Sequence, residues 1–198
     1  MTWRTLMSVL VFGAALPALA TTVGQSTPNF TLMDTHGRTV QLSDFKGQYI
    51  VLEWTNPACP FVRNHYNTGN MQTLQQTWGA RGVVWLAIDS SNRSGSDYLP
   101  PAKLDAWMQA RGAAQKAVLM DPDSAAAKLF QAKTTPHMFV INPAGTIVYA
   151  GAIDDRPSTR PEDPAAAHNY VRAALTEAAA GVALTTPAST PYGCSIQY

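Results

Sequence analysis

Alternation of apolar and polar positions marks the first elements of the chain. Phe30 to Met33 and Thr39 to Leu42 alternate on either side of Asp34-Thr35-His36-Gly37, which predicts a hairpin with a glycine-containing loop. Ser43 to Gly47 reads as a turn. Tyr49 to Trp54 is then an apolar run of strand length, the pattern of a central strand covered on both faces, and Glu53 is its one charged member. Thr55 to Pro60 is a loop with two prolines. Pro60 suits the first position of a helix, where its missing N–H costs nothing.

Helix-compatible residues continue to about Arg81, and Gly82 stops them. Val83 to Ile88 predicts the next strand, Asp89 to Pro101 a polar loop, and Ala102 to Arg111 a helix closed by Gly112. Ala117 to Met120 is a short strand, after which Ser124 is placed to cap a helix reaching about Ala132. Met138 to Ile141 and Ile147 to Ala150 flank Asn142-Pro143-Ala144-Gly145, a second hairpin. Glu162 to Ala180 predicts one long alanine-rich helix ended by Gly181. Val182 to Tyr198, with Pro187, Pro191 and Gly193, reads as an irregular tail. Strand–helix alternation implies parallel pairing and the late hairpin adds antiparallel strands. The expected fold is α/β, a mixed central sheet with helices on both faces and an N-terminal β-hairpin.

Composition does not shift along the chain, so one domain is expected over residues 21–181, followed by the tail at 182–198. Charged residues are 14% of the chain and the net charge is +1, with no block of like charges, which argues against a nucleic-acid partner. Residues 1–20 read as a signal peptide: Arg4 begins it, Leu6 to Leu16 is apolar but short for a bilayer span, and Ala18-Leu19-Ala20 offers a cleavage site. Export to the periplasm or beyond is expected, with no membrane segment after cleavage; an uncleaved anchor is the other reading.

Two cysteines remain in the mature part, Cys59 and Cys194, and an oxidising compartment permits them to pair. Cys59 is expected at the carboxyl end of a central strand and just before a helix, where reactive groups of open α/β sheets gather. Unpaired N–H groups at a helix start favour thiolate, the form that attacks disulfides and peroxides, and Arg63 would share the helical face. The alternative is a buried, inert thiol. Glu53 is either a proton acceptor beneath that thiol or a carboxylate at an edge or paired with Lys46 or Arg63. Thr134-Thr135-Pro136-His137 precedes a strand, and a cis peptide at Pro136 would present the Thr135 backbone to an extended partner. His137 reads as structural. Cys194 is a resolving thiol, half of a permanent bridge, or unpaired. Asp154-Asp155 reads as a solvated turn, the alternative being a loop near the site. His36, His65 and His168 have no metal-ligand spacing to either cysteine, and neither a metal nor another cofactor is expected.

Pro28-Asn29-Phe30-Thr31-Leu32, Gly37, Leu42-Ser43-Asp44-Phe45-Lys46-Gly47 and Val51-Leu52-Glu53-Trp54 resemble the opening of the redoxin, or alkyl hydroperoxide reductase/thiol-specific antioxidant, group of the thioredoxin-like superfamily. The stretches Asn56 to Val62, Thr135 to His137, Gly151 to Asp155 and Tyr192 to Cys194 are similar to exported thioredoxin-family proteins. The resemblance covers about Pro28 to Ala180. It implies that Cys59 takes the place of the attacking cysteine, Glu53 that of a buried acid and Pro136 that of a cis-proline. Val62 stands where thioredoxins carry their second cysteine. Leu52 and Asn56 replace the Pro and Thr/Ser of peroxiredoxins, whose arginine aligns with Pro136. Copper chaperones share the fold, but Thr55 replaces the earlier of their two cysteines.

Two functions are therefore expected in order. The first is a thiol-dependent oxidoreductase using Cys59, resolved by Cys194, with a disulfide-bearing protein or small peroxide as substrate and an external thiol reductant. The second is a peptide-binding module in which Cys59 and Cys194 form a fixed bridge.

Overall fold

The N-terminal alternation forms its hairpin: β1 (Thr31–Asp34) and β2 (Thr39–Gln41) pair antiparallel, with Leu32 opposite Val40. One 3-10 turn over Leu42–Phe45 leads into β3 (Ile50–Trp54), all five of whose residues are buried. The computed structural model describes residues 23–198, so the signal segment and cleavage site expected within residues 1–20 lie outside the described residues. Among the described residues no helix is long and apolar enough to cross a membrane.

The single helix expected up to Arg81 is two, α1 (Pro60–Asn67) and α2 (Asn70–Gly79). Gly69, with φ 75°, makes the break, because a residue without Cβ enters the left-handed region at little cost. The Thr68 hydroxyl closes α1 on the Asn64 carbonyl at 2.7 Å. β4 (Val84–Asp89), α3 (Pro101–Gln109), β5 (Ala117–Met120) and α4 (Ala125–Phe130) follow as expected. Ser124 does not cap α4 with its side chain. The Asp121 carboxylate does so instead, accepting from the Ala126 and Ala127 N–H groups at 3.1 and 2.9 Å. A carboxylate suits that position because it meets both unpaired donors and the positive end of the helix.

Next come β6 (Thr134–Thr135), β7 (His137–Ile141) and β8 (Ile147–Gly151). The long helix expected over Glu162 to Ala180 is also divided, into α5 (Asp163–Ala166) and α6 (Tyr170–Ala179). Ala167 is extended, and Asn169 starts α6 afresh by accepting from the Arg172 N–H at 2.8 Å. The tail is not wholly irregular: β9 (Cys194–Ser195) pairs antiparallel with β6, Cys194 opposite Thr135 and Ser195 opposite Thr134.

The main sheet has the order β2-β1-β5-β4-β3-β7-β8. β3, β4 and β5 run parallel, and the outer strands join antiparallel. Alternation along β3 divides the core. Ile50, Leu52 and Trp54 pack with Ala126, Ala127 and Phe130 of α4, whereas Val51 and Glu53 face the layer of α1, α2, α3 and α6. Both faces of the sheet are thus covered, which is why its central strands tolerate no exposed apolar residue.

Candidate thiol site

β3 ends at Trp54, and the next five residues place Cys59. Thr55 continues the parallel register by donating to the Ile88 carbonyl at 2.9 Å. Asn56 then pins the turn: its Oδ1 accepts from the Ala58 N–H at 2.6 Å, and its Nδ2 donates to Ser91 Oγ at 3.0 Å and Asp97 Oδ2 at 2.6 Å. An asparagine that bonds its own backbone two residues on is a turn former, and here it is also cross-linked to the loop after β4. Cys59 is the N-cap of α1 and Pro60 its first residue, as expected.

The sulfur is oriented differently from the expectation. It accepts no capping hydrogen bond from the first turn of α1, and it donates to the Thr135 carbonyl at 2.9 Å. Only 2% of Cys59 is exposed. Arg63 is exposed and its Nε donates to the Pro57 carbonyl at 2.6 Å; among the described residues no hydrogen bond joins its guanidinium to the sulfur. Thr135 precedes Pro136 through a cis peptide bond.

Cys194 reaches the same place from the other end of the chain. The β6–β9 ladder sets it opposite Thr135, and its side chain hydrogen-bonds that of Cys59. Both are free thiols, so the fixed bridge of the alternative reading is not formed in this structure. Burial, followed by the bond to Cys59 and the charges of Cys59 and Asp97, pushes the Cys194 thiol up to about 12. Beside this pair lies a pocket of about 130 Å³ lined by Asn56, Ser90, Ser91, Asp97 and the tail.

Glu53 is fully buried, neither at an edge nor paired with Lys46 or Arg63. Tyr66 Oη, Trp85 Nε1 and Gln75 Nε2 donate to it at 2.9, 2.8 and 3.3 Å. Burial raises its pKa and these donors oppose the rise. No hydrogen bond links Glu53 to Cys59 among the described residues. His137 is structural in its bonding: its Nδ1 accepts from the Lys133 N–H at 3.1 Å.

Sequence reasoning missed the groups that hold the tail. Tyr192 is two residues before Cys194, and its hydroxyl donates to Asp154 Oδ1 at 2.6 Å and lies 3.0 Å from His65 Nε2. Asn70 Nδ2 faces His65 Nδ1 at 2.8 Å, so, with the amide nitrogen as donor, Nδ1 accepts and Nε2 carries the proton toward Tyr192. Burial lowers His65 to about 4, so the ring is neutral near pH 7. Asp154 is buried rather than solvated, and burial raises its pKa while Tyr192 counters it. The Tyr192 ring also packs on Phe61, centroids 5.6 Å apart.

The strap continues on either side. Upstream, Ser189 bonds the Ala150 carbonyl through its N–H at 3.2 Å and accepts from the Ala152 N–H at 2.9 Å. Downstream, the Ile196 N–H donates to the Lys133 carbonyl at 3.0 Å, and the Tyr198 hydroxyl donates to the Ala132 carbonyl. Residues 187–198 thus cross the site from β8 to the loop before β6, above a buried Cys59.

Residues 23–150 match the family model described as the AhpC/TSA family. The thiol-disulfide oxidoreductase ResA of Bacillus subtilis is 25% identical over 132 residues, 63% of this chain and 64% of ResA. The peroxiredoxin Bcp of the same organism is 30% identical over 82 residues, 37% of this chain and 47% of Bcp. The chain therefore spans less than two thirds of the length of both curated relatives. A crystal structure of a hypothetical protein from Sinorhizobium meliloti superposes with a TM-score of 0.77 at 23% identity, covering 89% of this chain and 94% of that one. The architecture is the thioredoxin-like fold.

Proposed function

From the premise that this chain belongs to the AhpC/TSA family, we propose that it is a thiol–disulfide oxidoreductase in which Cys59 attacks and Cys194 resolves. The observation that carries this reading is the meeting of two free thiols, one at the head of α1 and one delivered by the tail. Cys59 thiolate attacks one sulfur of a disulfide; that S–S bond breaks, the departing thiolate takes a proton, and a mixed disulfide forms. Cys194, after losing its proton, attacks Cys59 Sγ and expels the second substrate thiolate. The cycle leaves substrate reduced by two electrons and Cys59–Cys194 oxidised, and an external dithiol restores both thiols.

Disulfide exchange is favoured over peroxide reduction because Asn56 and Pro136 replace the polar groups that would polarise a peroxide, and Asn56 is already committed to Ser91, Asp97 and Ala58. Glu53, held by three donors away from the sulfur, acts as a positioning residue for α1 and α2. We place the protein outside the cytoplasm, on the apolar run Leu6 to Leu16 and the Ala18-Leu19-Ala20 site.

The test is reduction of a disulfide substrate by wild type, Cys59→Ser and Cys194→Ser with a dithiol reductant. Cys59→Ser is expected to lose turnover entirely, and Cys194→Ser to accumulate a mixed disulfide visible by intact mass. Turnover unchanged in Cys59→Ser rejects the proposal.

A further inference from the structure

The pocket beside the thiol pair meets one sulfur-bearing residue and not the other. Cys194 lines it and is half-buried, whereas Cys59 is 2% exposed and lies outside its lining. At about 130 Å³ the pocket has room for several water molecules or for a compact ligand. Asp97 is its one carboxylate, and among the described residues no lysine, arginine or histidine lines it. We propose that the external thiol which restores Cys59 and Cys194 enters here, and that Asp97 selects a small thiol bearing a positive charge over an anionic one. This rests on the oxidoreductase reading above and names the charge class of the reductant it needs.

The loop after β4 is built to bring that carboxylate in. Asn92 folds the loop: its Oδ1 accepts from the Ser94 N–H at 2.9 Å, and its carbonyl accepts from the Gly95 N–H at 2.8 Å. Gly95 leaves the room required, because a Cβ there would lie 2.9 Å from Asp97 Oδ1. The other oxygen, Asp97 Oδ2, accepts from Asn56 Nδ2 at 2.6 Å, and Asn56 holds the turn that carries Cys59. Asp97 is thus exposed to solvent yet fixed in place. Arg93, the cation of the same loop, donates to the Tyr98 hydroxyl at 3.3 Å and is absent from the pocket lining. The charge of Asp97 is felt at Cys194, where it disfavours the thiolate, and at buried Asp89. A field that resists an anion on Cys194 also repels an incoming thiolate. An ammonium on the same molecule offsets that repulsion, and a second negative charge adds to it.

Oxidation joins two sulfur-bearing side chains that are already hydrogen-bonded, so the pocket keeps its lining in the oxidised protein. The reductant thiolate attacks Cys194 Sγ, the Cys59–Cys194 bond breaks, and Cys59 leaves as thiolate and takes a proton. A second reductant thiolate then attacks the reductant sulfur bound to Cys194. Cys194 leaves and takes a proton, and the reductant departs as its own disulfide, having given up two electrons. Attack at Cys194 in the first step releases Cys59 rather than Cys194, whose thiolate burial disfavours.

The experiment uses full-length wild-type protein oxidised to the Cys59–Cys194 disulfide. It is reduced by cysteamine, which carries an ammonium, or by mercaptopropionate, which carries a carboxylate, and loss of the disulfide is followed by alkylation and intact mass. The same two rates are taken for Asp97→Asn, which keeps an oxygen to accept from Asn56 Nδ2. Each thiol's own nucleophilicity cancels when the cysteamine-to-mercaptopropionate rate ratio is compared between the two proteins. That ratio is expected to be about tenfold higher in wild type, the effect of one unit charge acting across a small pocket near the surface. In wild type alone the ratio is expected to fall several-fold as salt rises from about 0.01 M to about 1 M, which needs no variant to fold. Equal ratios in the two proteins, or a wild-type ratio indifferent to salt, overturn the inference; the oxidoreductase reading then stands if dithiothreitol still restores both thiols. A Cys59–Cys194 disulfide that does not form, or that dithiothreitol cannot reduce, overturns both.

Discussion

Replacing Tyr192 with phenylalanine removes one oxygen and tests whether the strap is latched. The hydroxyl donates to Asp154 Oδ1 and faces His65 Nε2. Asp154 is 1% exposed and its Oδ2 has no hydrogen-bond partner among the described residues, so the carboxylate would keep only the Arg156 N–H at 3.0 Å. Leaving a buried acceptor short of a donor costs about 1–3 kcal/mol. Because Tyr192 leaves this environment only when the strap lifts, that cost falls on the closed state, and the open population should rise about 5–150-fold. The ring keeps its packing on Phe61, so the change is confined to the polar latch. Cys59 is alkylated only in the open state, and where closing is fast the labelling rate follows the open population. Peptide mapping after brief exposure to iodoacetamide should show Cys59 labelled faster in Tyr192→Phe by that factor. Hydrogen exchange at the Ile196 N–H should rise in step, with β3 unaffected. A labelling rate within about twofold of wild type would show that the strap is not held by this network.

Gly193→Ala puts a Cβ into the Thr135 carbonyl, so β9 should leave β6; the pH profile of Cys194 alkylation is expected to move from about 12 down toward the ordinary thiol value of roughly 8.5. Asp89 is buried, its Oδ2 lacks a hydrogen-bond partner among the described residues, and burial raises its pKa to about 6. Its folded pKa exceeds its unfolded one, so its contribution is fully present below about pH 4 and is lost as pH rises through about 6. Asp89→Asn should therefore gain on wild type by about 3 kcal/mol between those limits, read from urea unfolding at pH 4 and pH 7. A difference independent of pH would contradict the assignment. Glu53→Gln presents an amide to three donors that now meet a carboxylate, and should lower unfolding stability by about 1–3 kcal/mol. If Glu53 positions rather than exchanges protons, the pH profile of Cys59 alkylation in that variant should keep its midpoint.

What could be read from the chain was what local pattern determines. The apolar run at β3, the short run Ala117–Met120 and the Asn142–Gly145 hairpin loop all fell where their periodicity and turn residues placed them. Pro60 located the start of α1, and with it Cys59, because a proline at the first helical position carries a local steric reason. The breaks at Gly69 and Ala167 were hidden: one glycine and a run of alanines are both compatible with a continuing helix, and tertiary packing decided between them. The tail was hidden for a stronger reason. Its residues pair with groups far away in sequence, Tyr192 with His65 across 127 positions and with Asp154 across 38. No window along the chain contains both partners. Asp154 consequently read as a solvated turn, and Cys194 as one of three alternatives that only its register against Thr135 could narrow.

If Cys59 and Cys194 exchange electrons with a disulfide as one unit, the oxidised pair can be trapped. Reduced wild-type protein should be mixed with a small excess of a disulfide substrate, quenched in acid, alkylated, and measured by intact mass with peptide mapping. The expected product is a species in which Cys59 and Cys194 both escape alkylation and are joined by a bond that a dithiol reverses, formed as substrate is reduced. Substrate reduced while Cys59 and Cys194 both remain open to alkylation throughout would contradict it.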